Sequence, residues 1–139
     1  TNQHDHLARY HHVDIALDTF PVGGHTTTSD ALWMGVPVIT RQGNSFISRA
    51  ASSLLEAVGL HDLVTDDTSA YRAKIVELGN NIEERQRIKA LLTDQRHTLP
   101  LFDTPRFVRN LEHGLHMAWD RAVAGSSPAA IDVKEDKHV

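Results

Sequence analysis

The chain has 139 residues, 40 % apolar and 23 % charged, with a formal net charge of -4 and no cysteine. That balance is ordinary for a soluble globular protein. It argues against a broad nucleic-acid surface, which needs a basic excess, and it excludes disulfides and thiolate zinc sites. No apolar run reaches the roughly 18 residues of a membrane span, so no membrane partner and a cytoplasmic location are expected.

The opening TNQHDHLARY has neither an initiator Met nor a signal-peptide pattern, and is read as a cut through a longer chain. HDHLARYHH then carries a modest helical pattern, with Leu7 and Tyr10 on one face. In VDIALD, Val13, Ile15 and Leu17 alternate against Asp14, Ala16 and Asp18, which predicts a strand. After a glycine and threonine loop a helix is expected over about 27 to 34. Gly35 is placed for a left-handed stop, and Pro37 prevents continuation. PVIT reads as a second strand. From Ser45, Phe46, Ile47, Ala50, Ala51, Leu54, Leu55 and Val58 recur at helical spacing, and Gly59 ends the run. LVT at 63 to 65 is a third short strand. Helices follow over Ser69 to Leu78 and Ile82 to about Leu92, with Asp66 and Asp67 as caps for the first. Thr104 and Pro105 are read as a cap and first-turn pair for a last helix carrying Phe107, Leu111, Leu115 and Trp119. Beyond Gly125 a disordered tail is expected.

Strands alternating with helices imply a parallel sheet with right-handed crossovers. Three strands are few for an open sheet, so the pattern resembles half of a doubly wound domain whose earlier strands lie upstream.

In such sheets ligands bind beyond the carboxyl ends of the strands, and the segment FPVGGHTTTSD occupies that place. Gly23 and Gly24 permit positive φ and close backbone approach. The first turn of the next helix offers unpaired N–H groups and a positive dipole end, a ready anion site. The hydroxyls of Thr26 and Thr27 and a ring nitrogen of His25 add donors, and the carboxylate of Asp30 could accept ribose hydroxyls. A structural reading stands beside this one: Thr27 and Asp30 have capping-box-like spacing and could serve only the helix start.

DIALDTFP, GHTTTSD, LWMGVPVIT and SRAAS, followed by LPLFDTPRFVRNLEHGLHMAW, resemble the C-terminal catalytic lobe of the O-GlcNAc transferase family, which includes the SPINDLY-like proteins. The likeness covers nearly all of residues 4 to 124. It implies an α/β fold, the C-terminal part of a Rossmann-like lobe of a GT-B glycosyltransferase, with a short parallel sheet flanked by helices. Residues 1–124 would form the nucleotide-sugar-binding part with its closing helix, and 125–139 the tail. The resemblance further implies metal-independent, inverting transfer of N-acetylglucosamine from UDP-GlcNAc to Ser or Thr of a protein acceptor, which is held by upstream regions associated with TPR repeats. No cofactor other than this donor is implied.

Residue by residue, His25, Thr26 and Thr27 match the motif that contacts the donor diphosphate, with Gly24 beside it. Asp30 matches the ribose-binding acid, His6 the histidine packed on the uracil, and Arg9 the same base-flanking segment. Thr1 to Gln3 fall where the family reads the base edge through backbone groups. No residue of this chain is assigned as catalytic, and the isolated piece is expected to be inactive. Two alternatives are SPINDLY-type O-fucosyl transfer from GDP-fucose and a non-catalytic partner-binding lobe.

Other features have simpler readings. No carboxylate triad at ligand spacing accompanies His4, His6, His11 and His12, so no metal site is expected. Trp33 and Trp119 on helical stripes are read as core, Arg49 as a helix-surface salt bridge, and ERQRIK as a solvated face.

Overall fold

The computed structural model describes residues 2–134 and divides the chain into two compact units, 1–101 and 102–139. Thr1, expected near a base edge, and residues 135–139 of the expected tail lie outside the described residues.

The first unit starts with α1 (Gln3–Ala8), capped by the Asn2 side-chain Oδ1 accepting from Asp5 N, and runs into a 3-10 turn at Arg9–His12. Then come β1 (Ala16–Leu17), α2 (Thr26–Trp33), β2 (Val38–Arg41), α3 (Ala50–Ala57), β3 (Val64–Thr65), α4 (Thr68–Asn80) and α5 (Ile82–Asp94). The three strands are parallel in the order β1-β2-β3, with Ala16 opposite Val38 and Thr40 opposite Val64. Leu32, Ile39, Leu55, Ile88 and Leu92 are fully buried around this sheet.

The chain punctuation acts as the sequence suggests at three places. Gly35 and Gly59 take φ of 79° and 74° just past α2 and α3, a conformation that only glycine adopts cheaply. Asp67 caps α4 by accepting from Ala70 N at 2.8 Å.

Elsewhere the structure departs from the expectation. The strand forecast over VDIALD shrinks to two residues, and its inward and outward faces are reversed: Leu17 is 52 % exposed whereas Asp18 is buried. The helix expected from Ser45 begins instead as a 3-10 turn, Phe46–Ser48, closed by a reciprocal Ser45–Ser48 capping box. That turn leaves Phe46 77 % exposed.

Tyr71 on α4 ties this helix to β1. Its hydroxyl donates to Asp18 O at 2.8 Å and its ring meets Phe20 edge-on. Burial first, and then the charge of Asp18, hold the phenol above its ordinary value of 10.0. The fold therefore favours the protonated form. The contribution is whole below the unfolded pKa and is lost as pH rises through the raised folded one. Tyr71→Phe is expected to cost about 1 kcal/mol at neutral pH and to flatten the loss of stability in strong base, read by urea unfolding at both ends of that range.

On α5, Arg87 pairs bidentately with Glu84 at 2.8 and 2.7 Å, but Ile88 of the same stretch is buried and the half-buried Arg85 donates to Leu78 O and Gly79 O, so the run read as a solvated face is only partly so.

The second unit holds α6 (Thr104–Val123). Its cap is Asp103, which accepts from Arg106 N at 3.0 Å; Thr104, read as the cap in the sequence, is already helical. Trp119, read as core, is exposed on α6. Residues 126–134 form no helix or strand; Arg121 donates to Ser127 O, and Val133 lies against Gly114.

Candidate functional site

At the carboxyl end of β1 the chain enters the loop 18–25, and the buried carboxylate of Asp18 organises it. Oδ1 accepts from Gly24 N and Oδ2 from the Thr40 hydroxyl, both at 2.6 Å. The Asp18 amide donates to Ile39 O at 2.9 Å, which continues the ladder with β2. The Thr65 hydroxyl donates to Thr40 O, so β3 is linked to the same point. A carboxylate accepting charge-assisted hydrogen bonds on both oxygens is a strong, directional anchor.

The two glycines of the loop are needed for space. Neither has positive φ, which corrects the expectation from sequence. A Cβ on Gly23 would lie 3.1 Å from Asp18 Oδ2. On Gly24 it would lie 2.7 Å from the hydroxyl oxygens of both Thr27 and Thr28. Those two hydroxyls thus converge over a bare α-carbon.

The amide of Gly24 is turned inward to Asp18, so among the proposed contacts Gly24 supplies room and not a donor.

His25 is the residue before the first turn of α2, and no side chain caps that turn. Because the helix starts at Thr26, the Thr27–Asp30 spacing falls inside it, and the capping box that this spacing suggested does not form. Thr26 and Thr27 are exposed in the first turn and Thr28 is buried. An uncapped helix start has unsatisfied N–H groups and positive potential, and both favour an anion. The ring of His25 lies edge-on to Phe46 at 6.2 Å.

One turn further along α2, Asp30 meets α1. Its Oδ2 lies 3.6 Å from His6 Nε2, so the structure brings His6 and Asp30 together. Tyr10, which sequence reading had placed only on a helix face, joins them. Its hydroxyl donates to Thr27 O at 3.2 Å, and its ring stands edge-on to His6 at 5.8 Å. Burial first, and then Asp30, raise the Tyr10 phenol above its ordinary value, so Tyr10 stays neutral and can donate. Arg9 is exposed in the 3-10 turn beside this group.

A cleft of about 680 Å³ opens on the other side of the α2 start. His25, Thr26 and Ser29 form one wall, and Phe46, Arg49 and Ala50 belong to the other. Among the described residues no three His, Cys, Asp or Glu side chains are grouped to hold a metal ion, and no helix is long and apolar enough to cross a membrane.

Known proteins carry the same pattern. Residues 1–111 match the family described as Glycosyl transferase family 41. A protein of Eustoma exaltatum subsp. russellianum, named probable UDP-N-acetylglucosamine–peptide N-acetylglucosaminyltransferase SPINDLY, is 36 % identical over 126 residues, which is 91 % of this chain and 14 % of that protein. The Arabidopsis thaliana protein of the same enzymatic name ending in SEC is 38 % identical over 133 residues, 95 % of this chain and 14 % of its own. Among solved structures, a mutant of the Thermobaculum terrenum O-GlcNAc transferase superposes with a TM-score of 0.85 at 35 % identity, over 91 % of this chain and 24 % of that one. The chain therefore spans only 14 % of the length of these curated relatives.

Proposed function

The chain belongs to glycosyl transferase family 41, and from that premise we propose that it is the donor-binding part of a protein O-linked N-acetylglucosaminyltransferase. Its fold is the C-terminal part of a Rossmann-like lobe of a GT-B glycosyltransferase, a short parallel sheet flanked by helices. The donor proposed is UDP-GlcNAc and the acceptor a Ser or Thr hydroxyl of a protein. The printed names of the two plant relatives, which carry this donor and a peptide acceptor, support the choice.

One observation carries the reading: the uncapped start of α2 stands at the carboxyl end of the sheet, with the Thr27 and Thr28 hydroxyls gathered over Gly24. In the reaction proposed, the acceptor oxygen attacks C1 of the sugar, and its configuration inverts. The bond from C1 to the β-phosphate oxygen breaks, its electron pair leaves with UDP, and the proton of the acceptor hydroxyl is released to water. Negative charge grows on the diphosphate as that bond stretches. The α2 amides, the Thr26 and Thr27 hydroxyls and His25 are preplaced donors for that charge, and the chemistry asks for no cofactor besides the donor. Asp30 would accept the ribose hydroxyls, while His6 and Arg9 would flank the base.

Titration of the protein with UDP and with GDP tests this reading. UDP at about ten times its Kd should stabilise the fold by roughly 1.4 kcal/mol, seen as a rise in Tm, with no rise for GDP. A response to GDP alone would move the assignment to O-fucosyl transfer from GDP-fucose. No response to either would favour a lobe that binds partners without catalysis.

A further inference from the structure

We propose that Arg41 is a positioning residue of the donor site: its guanidinium clamps the ring of Phe20 and so sets the loop 18–25 that presents His25 to the diphosphate. The inference rests on the donor reading above and adds to it a residue that acts through the loop.

Arg41 ends β2, and successive strand residues point to opposite faces of a sheet. From one face Thr40 holds the loop through its hydrogen bond to Asp18. From the other, Arg41 Cζ stands 4.2 Å from the centre of the Phe20 ring. Its Nη1 donates to the Thr68 hydroxyl at 2.8 Å, which fixes the guanidinium on the first turn of α4. The cation therefore meets the electron-rich face of the ring, while Tyr71, one turn along α4, holds the same ring edge-on at 5.8 Å. Two adjoining residues of β2 thus grip loop positions 18 and 20 from both faces.

An ordinary salt bridge does not account for Arg41. Among the described residues no carboxylate pairs with it, nor with Arg49, for which the sequence suggested a surface salt bridge. Asp66 lines the same cavity of about 490 Å³ as Arg41 and makes no ion pair there. Core packing does not account for Phe20 either, since it is 42 % exposed. A ring so exposed keeps one orientation only where specific contacts hold it, and Arg41 and Tyr71 supply them.

The clamp reaches the donor through the chain that follows it. After Phe20 the loop turns on the hydrogen bond from the Thr19 hydroxyl to Val22 O and is tied again by Gly23 N to Ile47 O. His25 comes two residues later. Releasing Phe20 frees the near half of this loop and lets the start of α2 shift. A misplacement of about 1 Å at a reacting geometry can cost about a hundredfold in rate.

The test measures kcat and KM for transfer from UDP-GlcNAc to a peptide, together with Tm and UDP affinity, in the protein that carries this chain. The variants are Arg41→Met, Arg41→Lys, Phe20→Leu and Arg41→Met combined with Phe20→Leu. Arg41→Met should lower kcat about tenfold or more while KM rises less than about threefold, because misplaced donors lose most where charge develops. Phe20→Leu should do the same. The double variant should lose no more than either single one, as residues acting through one contact do. Arg41→Lys should recover part of the loss, since an ammonium still stands over the ring, and the recovery should vanish when Phe20 is replaced by leucine.

Losses that add in the double variant, or a lower Tm with kcat unchanged, would overturn the clamp. If Arg41→Met turns over like the wild type while Thr27→Ala does not, this inference falls and the donor reading stands. If the wild type neither binds UDP nor transfers the sugar, both fall.

Discussion

Replacing Asp18 with alanine is expected to cost about 3–5 kcal/mol of stability, the range for stripping one partner from a buried charged network. The carboxylate accepts from Gly24 N and from the Thr40 hydroxyl, each at 2.6 Å, and Thr40 is fully buried. Alanine would strand the buried Thr40 hydroxyl, at a desolvation penalty of about 1–3 kcal/mol, and leave the half-buried Gly24 amide without its acceptor.

The damage should be local before it is global. Asp18 joins β1 to the loop that presents His25, so the loop would lose its registration on the sheet while the helical core around Leu55 and Leu92 stays packed. Asp18→Asn is the sharper variant, because its carbonyl can still accept from Gly24 while its amide must rearrange against Thr40. It should lose roughly half as much, since one of the two charge-assisted bonds is kept in weaker form. Urea unfolding measures both, and hydrogen exchange at the Gly24 amide should accelerate in the alanine variant. A loss below about 1 kcal/mol for Asp18→Ala, the net worth of a single ordinary hydrogen bond, would show that the carboxylate does not organise the loop.

Asp18 also marks the limit of what the sequence could reveal. Period-two alternation assigns a strand's apolar residues to one face and its polar residues to the other, and by that rule Asp18 belongs with the solvent. The rule fails because β1 is only two residues long and, among the described residues, pairs only with β2. In so short a strand the inward position is set by hydrogen-bond demand from Gly24 and Thr40, which no local pattern encodes.

The stops at Gly35 and Gly59 were legible for the opposite reason: a left-handed residue after a helix is a local requirement that one residue type meets cheaply. The hydroxyl-bearing start of α2 was legible in kind, as glycines and threonines before a helix, and inexact in register. Moving the helix start to Thr26 turns a plausible capping pair into a residue with an exposed hydroxyl, Thr27, and one facing His6, Asp30. Phe46 misled because an apolar residue at helical spacing looks the same whether it packs inward or walls a cleft. Tyr10 could have been found from its spacing to His6, four residues apart on one helical face.

His25→Ala and Thr27→Ala are each expected to lower the rate of sugar transfer by about 10²–10³-fold, the range seen when one preplaced donor is removed from a developing oxyanion. Both side chains are exposed, and neither appears in a hydrogen bond that supports the fold. Stability should therefore change little, within the roughly 0.5 kcal/mol common for surface substitutions. The combination of a large kinetic loss with an unchanged Tm separates a catalytic contact from a structural one. Since the charge on the diphosphate is greater when the C1 bond is breaking than in the bound donor, kcat should fall more than KM rises. Thr28→Ala gives the contrast, because its hydroxyl is buried and its loss should reduce Tm as well as rate. Single-turnover transfer from UDP-GlcNAc to a peptide, measured in the protein that carries this chain, reads the chemical step directly. Unchanged rates in both His25→Ala and Thr27→Ala would mean that the α2 start does not meet the leaving diphosphate, and the functional assignment would fail with it.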